Sequence, residues 1–563
     1  MLFSSSEQAD DIRFALAKFK SAFITVTVFS GVMNLFMILP SIYMMQVYDR
    51  VLVSRSEMTL LMLSIMVVAL YFIMSVIEWL RSIILIRVSA GIDSALSGRI
   101  FHACFSKSLV DVDTSPSQVF SDLSSIRQFM TGNGLFALLD IPWIPIYLLL
   151  TFLFNVTLGY FTVAGIVFIL MLAVWNELST RKDLVFANKS FNESLLNANQ
   201  TLQNSEVIKA LGMLNNLRDR WSQLQTRMLH HQMVASEKNS LLGSLTKFVR
   251  ITWQSLVLGL GALLVLENQI SGGMMIACSI LLGRAFAPVE LAVASWKQLS
   301  NIRLSYNRIN SLLKQYGVSH KPMDLSAPKG AVKVENLNVF SPSIGRFVLR
   351  NIDFELSAGE ILVVIGPSAS GKSSLARALM GIWPAHSGAV RLDGANISHW
   401  DSERLGPHLG YLPQDVELFD GSIAQNIARF NTVDPEAVIS AAVDAGIHEM
   451  ILGFESGYDT LLKAGGTGLS GGQKQRIGLA RAIYKTPSFI VLDEPNSNLD
   501  EAGDDALHKA LLKMKYKSRT VVVVSHRPNV LSIADKVLVL DNGAMRYFGE
   551  QVKFIELVSK QRQ

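Results

Sequence analysis

Charge is scarce in this chain. Only 17% of its 563 residues are Asp, Glu, Lys or Arg, against about a quarter in an ordinary soluble domain. Half are hydrophobic and the mean hydropathy is +0.33, which places the chain in a membrane class. Cysteine is scarcer still. Cys104 and Cys278 stand alone in unrelated settings, which excludes a disulfide framework and leaves no metal or redox spacing. The first residues hold Ser4, Ser5, Ser6, Glu7, Asp10 and Asp11 where a secretory signal peptide has a basic stretch. No repeat at solenoid or propeller periods is present. The excess of basic over acidic residues is only +5, which fits the positive-inside bias of a membrane protein and gives no footprint for a nucleic-acid partner.

What the chain does have is long apolar runs before about residue 300. Spans near 22–44, 58–80, 135–154, 158–176, 245–266 and 273–294 are each long enough to cross a bilayer as a helix. The third and fourth are separated only by the turn-like Asn155-Val156-Thr157. The connection from Glu267 to Gly272 lacks Lys and Arg, whereas 81–134 and 177–244 are long, polar and rich in both. With Lys18 and Lys20 ahead of the first span, this predicts both termini on the cytoplasmic side. Residues 181–240 contain no proline and set Leu195, Leu196, Leu202, Val207, Ile208, Leu211 and Leu214 at helical spacing. The long inner segments are therefore expected to be membrane helices extended into the cytoplasm with tight turns at their tips, separate soluble helices being the alternative. Charges within the spans are few: Glu78, Asp140, Arg284 and Glu290. Each fits either a substrate path or a structural pair. Pro142 and Pro145 remove backbone donors and predict a kink, which either wets a path with free carbonyls or shapes packing.

Composition shifts after Lys314. Gly317, Ser319, His320, Pro322, Ser326 and Pro328 mark a linker, after which short β-rich runs alternate with helices. The reading is a preamble over 1–20, a membrane domain over 21–314, a linker over 315–330 and an α/β domain with a largely parallel sheet over 331–563. In the last of these, Gly366-Pro367-Ser368-Ala369-Ser370-Gly371-Lys372-Ser373-Ser374 follows the strand-like Ile361–Ile365 and opens a helix. A glycine-rich turn in that context turns backbone N–H groups onto phosphate oxygens, with Lys372 reaching the β/γ-phosphates and the Ser373 hydroxyl offered to Mg²⁺. ATP and Mg²⁺ are the expected ligands.

Further on, Phe489-Ile490-Val491-Leu492-Asp493-Glu494 is a buried strand ending in two carboxylates. Asp493 is placed to hold the Mg²⁺ shell, and Glu494 to act as a general base on an attacking water. Leu469-Ser470-Gly471-Gly472-Gln473, after Gly465-Gly466-Thr467-Gly468, opens another helix and so offers a second anion-binding surface. One phosphate loop and one separate platform suggest a site shared between two chains.

In this order, the phosphate loop, the LSGGQ signature and the strand ending in Asp493 resemble the ATP-binding cassette transporters, and with the six spans the resemblance covers essentially the whole chain. It implies a membrane all-α exporter domain with cytoplasmic helix extensions, joined to an α/β P-loop cassette. It implies that Gln414, in Tyr411-Leu412-Pro413-Gln414, senses Mg²⁺ and faces the membrane domain. Asp500, in Ser497-Asn498-Leu499-Asp500, would communicate between paired sites, and His526 would contact the γ-phosphate. Family cassettes stack head to tail, so Ser470 of one chain would close over ATP held by Lys372 of the other. One set of motifs and six spans then imply a half-transporter working as a homodimer. Phe340 is the nearest candidate for stacking on adenine, and Lys463-Ala464 stands where exporters usually carry Gly-Glu before the signature.

Three stretches narrow the branch. Val47-Tyr48-Asp49-Arg50-Val51-Leu52 resembles the first outer turn of type I protein-secretion ATPases, and Asp140-Ile141-Pro142-Trp143-Ile144-Pro145 their third membrane helix. Glu494-Pro495-Asn496-Ser497-Asn498-Leu499-Asp500 is similar to the branch exporting metalloproteases and lipases. That resemblance implies an inner-membrane protein that sends unfolded protein with a C-terminal signal into a membrane-fusion adaptor and an outer-membrane channel. The short preamble leaves no room for a peptidase-like domain, so leader cleavage is not expected. A lipid, peptide or drug exporter shares the architecture and remains the alternative. A non-transporting, nucleotide-gated scaffold would be favoured by loss of Glu494 or His526, and both are present.

Overall fold

The structure is a computed structural model and describes residues 17–110, 116–317, 325–341, 345–466 and 468–561. Most of the preamble and the linker residues Ser319, His320 and Pro322 lie outside the described residues, as do Pro342 and Thr467. The chain divides into two compact units, Met1–Lys107 with Asp113–Val318, and Ser108–Val112 with Ser319–Gln563.

The first unit is helical. Among the described residues six helices are long and apolar enough to cross a membrane: Lys20–Ser54, Glu57–Leu109, Gly134–Phe154, Val156–Gln203, Leu214–Leu266 and Gly272–Ala294. At 1.5 Å per residue, the 53 residues of Glu57–Leu109 reach about 80 Å, far beyond the ~30 Å hydrocarbon core, so the membrane helices do run on past the bilayer. Large side chains such as Leu61, Ile65, Phe72 and Trp79 are exposed in this isolated chain, the surface expected of a lipid-facing helix. The apolar core of the unit gathers on Gly272–Ala294, where Leu281, Leu282, Ala285 and Phe286 are fully buried.

The second inner segment has the expected form: Val156–Gln203 and Leu214–Leu266 run out as long helices and are joined at the tip by the short helix Ser205–Ala210 and a tight turn at Gly212, φ +65°. Three local expectations are corrected. The stretch Val47–Val51 is no turn but a π-helical continuation of the first helix, which ends only at Arg55 with φ +53°. The turn between the third and fourth spans shrinks to Asn155, whose side chain accepts from the Thr157 N–H and caps the next helix. The sheet of the second unit is mixed.

Two of the four intramembrane charges, Asp140 and Glu290, are paired. Asp140 Oδ1 accepts from Asn34 Nδ2 at 3.0 Å and from Arg81 at 3.4 Å, and Tyr147 donates to Asn34 Oδ1 at 2.8 Å. This buried cluster ties the first three membrane helices together. Glu290 pairs with Arg250 at 3.2 Å. At the proline pair the helix becomes a 3₁₀ turn over Ile141–Trp143, and Trp143 packs against Gly31, where a Cβ would lie 2.6 Å from the indole. Helix packing is thus one of the things the kink does.

The second unit is a ten-stranded sheet with helices on its faces. The strands are β1 (Val332–Ser341), β2 (Arg346–Leu356), β3 (Ile361–Ile365), β4 (Ser387–Leu392), β5 (Ala395–Asn396), β6 (Leu409–Leu412), β7 (Gly421–Ser422), β8 (Leu461–Leu462), β9 (Phe489–Asp493), β10 (Thr520–Val524), β11 (Lys536–Asp541) and β12 (Ala544–Glu550). Their order is β5-β4-β1-β2-β12-β11-β3-β10-β9-β6, while β7 and β8 pair separately. The run β11-β3-β10-β9-β6 is parallel, and β5-β4-β1-β2 is antiparallel. Two-residue turns at Asp393-Gly394 and Asn542-Gly543, all with positive φ, make the β4–β5 and β11–β12 hairpins. The parallel strands are buried on both faces. In β3, Ile361 and Val363 enter one apolar cluster and Leu362 and Val364 the other.

Candidate nucleotide site of the cassette

Every expected phosphate-site residue sits at the carboxyl end of the parallel strands, the usual place for ligands in such sheets. After β3 the chain passes through Gly366, Pro367, Ser368, Ala369 and Ser370 to Gly371, whose φ of +100° and tight approach to Val348 O (2.9 Å from an added Cβ) admit no larger residue. The helix Lys372–Leu379 starts immediately, aiming its N-terminus and the half-buried Ser373 and Ser374 at the loop. Lys372 Nζ folds back onto the carbonyls of Gly366 at 2.8 Å and Pro367 at 2.9 Å. Burial pulls its ammonium below the ordinary lysine value, and the carboxylates of Glu494 and Asp493 oppose that shift.

Asp493, the last residue of β9, is 2% exposed. Burial pushes its carboxyl above the usual range, against a hydrogen bond from Ser373. Its Oδ1 is buried without a hydrogen-bond partner, as is Ser370 Oγ. A buried carboxylate oxygen without a partner, beside a serine hydroxyl and an ammonium held only by loop carbonyls, fits a phosphate chain and its hard cation.

Glu494 leaves the strand in a left-handed conformation, φ +48°, which costs about 1 kcal/mol for a residue with a side chain. The strain is held at both ends of the residue. Its N–H donates to Val524 O at 3.0 Å, and its carbonyl accepts from Gln475 Nε2 at 2.9 Å. The side chain turns to Gln414, whose Nε2 donates to Glu494 Oε2 at 3.1 Å. Two residues 80 positions apart are thereby brought into contact. His526 follows β10 and is exposed.

The signature residues are elsewhere. Ser470 caps the helix Gly471–Ile483 and forms a reciprocal capping box with Gln473, and both Ser470 and Gly471 are exposed. Gly472 lies against the following loop, where a Cβ would stand 2.7 Å from Asn498 O. Asp500 caps the helix Glu501–Tyr516 through Gly503 N–H. Among the described residues no hydrogen bond or ion pair joins Ser470, Gly471, Gly472 or Gln473 to the phosphate loop.

Phe340 stands edge-on to Phe347, with ring centres 5.4 Å apart, and both lie near His386. Phe347 immediately precedes Val348, the residue packed against Gly371. Sequence reasoning missed both Phe347 and Gln475. The first carries no motif, and the second lies two residues past the signature in a helix with no other polar side chain fully buried.

A family description of the ABC transporter transmembrane region matches residues 22–289, and that of the ABC transporter matches residues 349–497. Over 551 residues the chain is 40% identical to the type I secretion system ATP-binding protein PrsD of Rhizobium meliloti (strain 1021), covering 98% of this chain and 95% of the relative. The chain belongs to the ABC exporter family. The exporter is also 28% identical to the alpha-hemolysin translocation ATP-binding protein HlyB of Escherichia coli, over 97% of this chain and 78% of that one. Its fold matches a bacterial Atm1-family ABC exporter with ATP bound, with TM-score 0.80 and 20% identity over 96% and 97% of the two chains. It is a multi-pass membrane protein with a transmembrane and an ATP-binding domain, and an ATPase whose hydrolysis is coupled to transport.

Proposed function

We propose that this exporter is the ATPase and permease of a type I secretion machine. It moves unfolded protein bearing an uncleaved C-terminal signal across the inner membrane into a membrane-fusion adaptor and an outer-membrane channel. The observation that carries the reading is the identity to the type I secretion ATP-binding protein, because it runs through both units and not through the cassette alone. The relative named for alpha-hemolysin translocation points to the same kind of cargo. In this reading the chain acts as a homodimer, with 21–314 in the membrane, 315–330 as linker and 331–563 as the cytoplasmic cassette.

The site residues then have the following roles. The phosphate-loop N–H groups and Lys372 bind the triphosphate of ATP, and Phe340 with its neighbour Phe347 flanks the base. Ser373, Asp493 and Gln414 hold Mg²⁺, which when bound neutralises phosphate charge. Glu494 takes the proton of the water that attacks the γ-phosphorus. The bond to the β–γ bridging oxygen breaks, releasing ADP and phosphate. His526 orients the γ-phosphate, and Asp500 with Ser470, Gly471, Gly472 and Gln473 of the second chain closes the site.

The test compares proteins in the culture medium of cells lacking this chain, complemented with wild type or with Glu494→Gln. The expected result is one or a few proteins that disappear from the medium and return with wild type only. An unchanged medium refutes protein export.

A further inference from the structure

Gln475 is 1% exposed, and among the described residues its side-chain hydrogen bonds all run to one short segment. Nε2 donates to Glu494 O at 2.9 Å and to Ser497 Oγ at 3.1 Å, while Oε1 accepts from Asn498 N–H at 3.0 Å. A buried amide offers two donors and two acceptors, and three of the four are spent between residues 494 and 498. The residue itself belongs to the helix capped by Ser470, a little over one turn from the cap. Gly472 of the same helix packs so closely on this loop that an added Cβ would stand 2.7 Å from Asn498 O, so helix and loop are held together by packing as well as by hydrogen bonds.

The consequence lies in where the two ends of this linkage act. One end is the exposed N-terminus carrying Ser470 and Gly471. The other is the backbone of Glu494, held left-handed by Val524 O on one side and Gln475 on the other. The Glu494 carboxylate is aimed by that backbone and by Gln414. A shift of the signature helix therefore changes the direction of the general base in the same chain.

We infer that Gln475 is a positioning residue that links the signature face of a chain to its own Glu494, so that ATP held against Ser470 by the second chain readies hydrolysis at the first chain's site. This rests on the two-chain site proposed above. It assigns to one buried side chain the communication between the two ATP sites, through hydrogen bonds within a single cassette.

Two variants of the full-length protein in lipid nanodiscs test it. Gln475→Met keeps the volume and removes every hydrogen bond. Gln475→Glu keeps the acceptor for Asn498 N–H but, when ionised, loses the donor to Glu494 O. With wild type, ATPase rate against ATP concentration should give a Hill coefficient above one, toward the two-site ceiling. Gln475→Met should lower kcat about tenfold, leave the ATP concentration at half-maximal rate within about twofold, and bring the Hill coefficient to one. The Gln475→Glu defect should shrink as pH falls from 8.5 to 6, because the introduced buried carboxyl regains a donor when protonated.

Three outcomes overturn the role of Gln475: a non-cooperative wild type, a Gln475→Met protein with unchanged kcat and Hill coefficient, or a Gln475→Glu defect equal at every pH. Where Gln475→Met does not fold, the pH profile of Gln475→Glu decides alone. Particle mass separates the two claims. A one-chain mass refutes the two-chain site itself, whereas a two-chain mass with unaltered cooperativity refutes only Gln475.

Discussion

Strand β9 delivers two adjacent carboxylates into different surroundings. Asp493 stays inside, with one oxygen unpartnered, while Glu494 swings out through a left-handed backbone to meet Gln414. Their substitutions should separate accordingly. Glu494→Gln keeps the shape and the phosphate contacts, so ATP should bind as before while phosphate release falls about 10²–10⁴-fold. Lys372→Ala removes the charged donor instead. It should weaken ATP binding by about 2 kcal/mol, roughly thirtyfold in Kd, as read by a fluorescent ATP analogue. Wild-type turnover in Glu494→Gln would remove the general-base assignment. Asp493 has a pH signature of its own. Its folded-state carboxyl is raised above the ordinary value by burial, so in that window folding takes up a proton. The stability it contributes is therefore present at low pH and lost as pH rises through the raised value. Asp493→Asn should consequently stabilise the nucleotide-free protein at neutral pH by about 1 kcal/mol while abolishing ATPase activity. Thermal unfolding across pH checks it: the gain should vanish below the carboxylate range.

At the scale of elements, the phosphate loop is held in shape by a hairpin far from it in sequence. Gly543 N–H donates to Ser370 O at 3.0 Å, and a Cβ on Gly543, φ +77°, would stand 2.5 Å from Val348 O. Gly543→Ala should therefore cost about 2–3 kcal/mol and weaken ATP binding without touching any phosphate contact, which calorimetry and nucleotide titration together would reveal. In the membrane unit the Arg81–Asp140 pair is the corresponding device. Arg81→Ala strands a buried carboxylate and should cost about 3–5 kcal/mol, whereas Arg81→Leu with Asp140→Leu should recover most of it in thermal unfolding. Elements of this kind divide what the sequence discloses from what it hides. The phosphate loop, β9 and the signature were legible because each packs its chemistry into a few consecutive residues. The six spans were legible because lipid demands about twenty apolar residues in a row. The Asp140–Asn34–Arg81 cluster, the Gln414–Glu494 contact and the Gly543 buttress depend on residues far apart in the chain, and local pattern carries no trace of such partners. Two hairpin signals, Asp393-Gly394 and Asn542-Gly543, stood in plain view and went unread, which is why the antiparallel part of the sheet was not expected.

At the scale of the whole molecule, the decisive feature is that Ser470 and Gly471 are exposed and joined to no phosphate-loop residue by a described hydrogen bond, while Lys372 has only loop carbonyls to hold. If two chains complete each other's sites, the arrangement of defects must matter more than their number. A dimer of one Lys372→Ala chain with one Ser470→Arg chain collects both defects in one site and leaves the other intact. A dimer of one doubly substituted chain with one wild-type chain has a defect in each site. Both dimers hold the same two substitutions. Co-purified through two different affinity tags, the first should retain up to about half of wild-type ATPase activity and the second almost none. The reverse order, the first dimer almost inactive and the second at about half, would mean that each chain hydrolyses ATP with its own residues alone, and equal activities would mean that Ser470 closes neither site. Export of the medium protein in the same pairs reports whether one working site suffices for transport. A first dimer that hydrolyses without exporting would show that the membrane path needs both closures in each cycle.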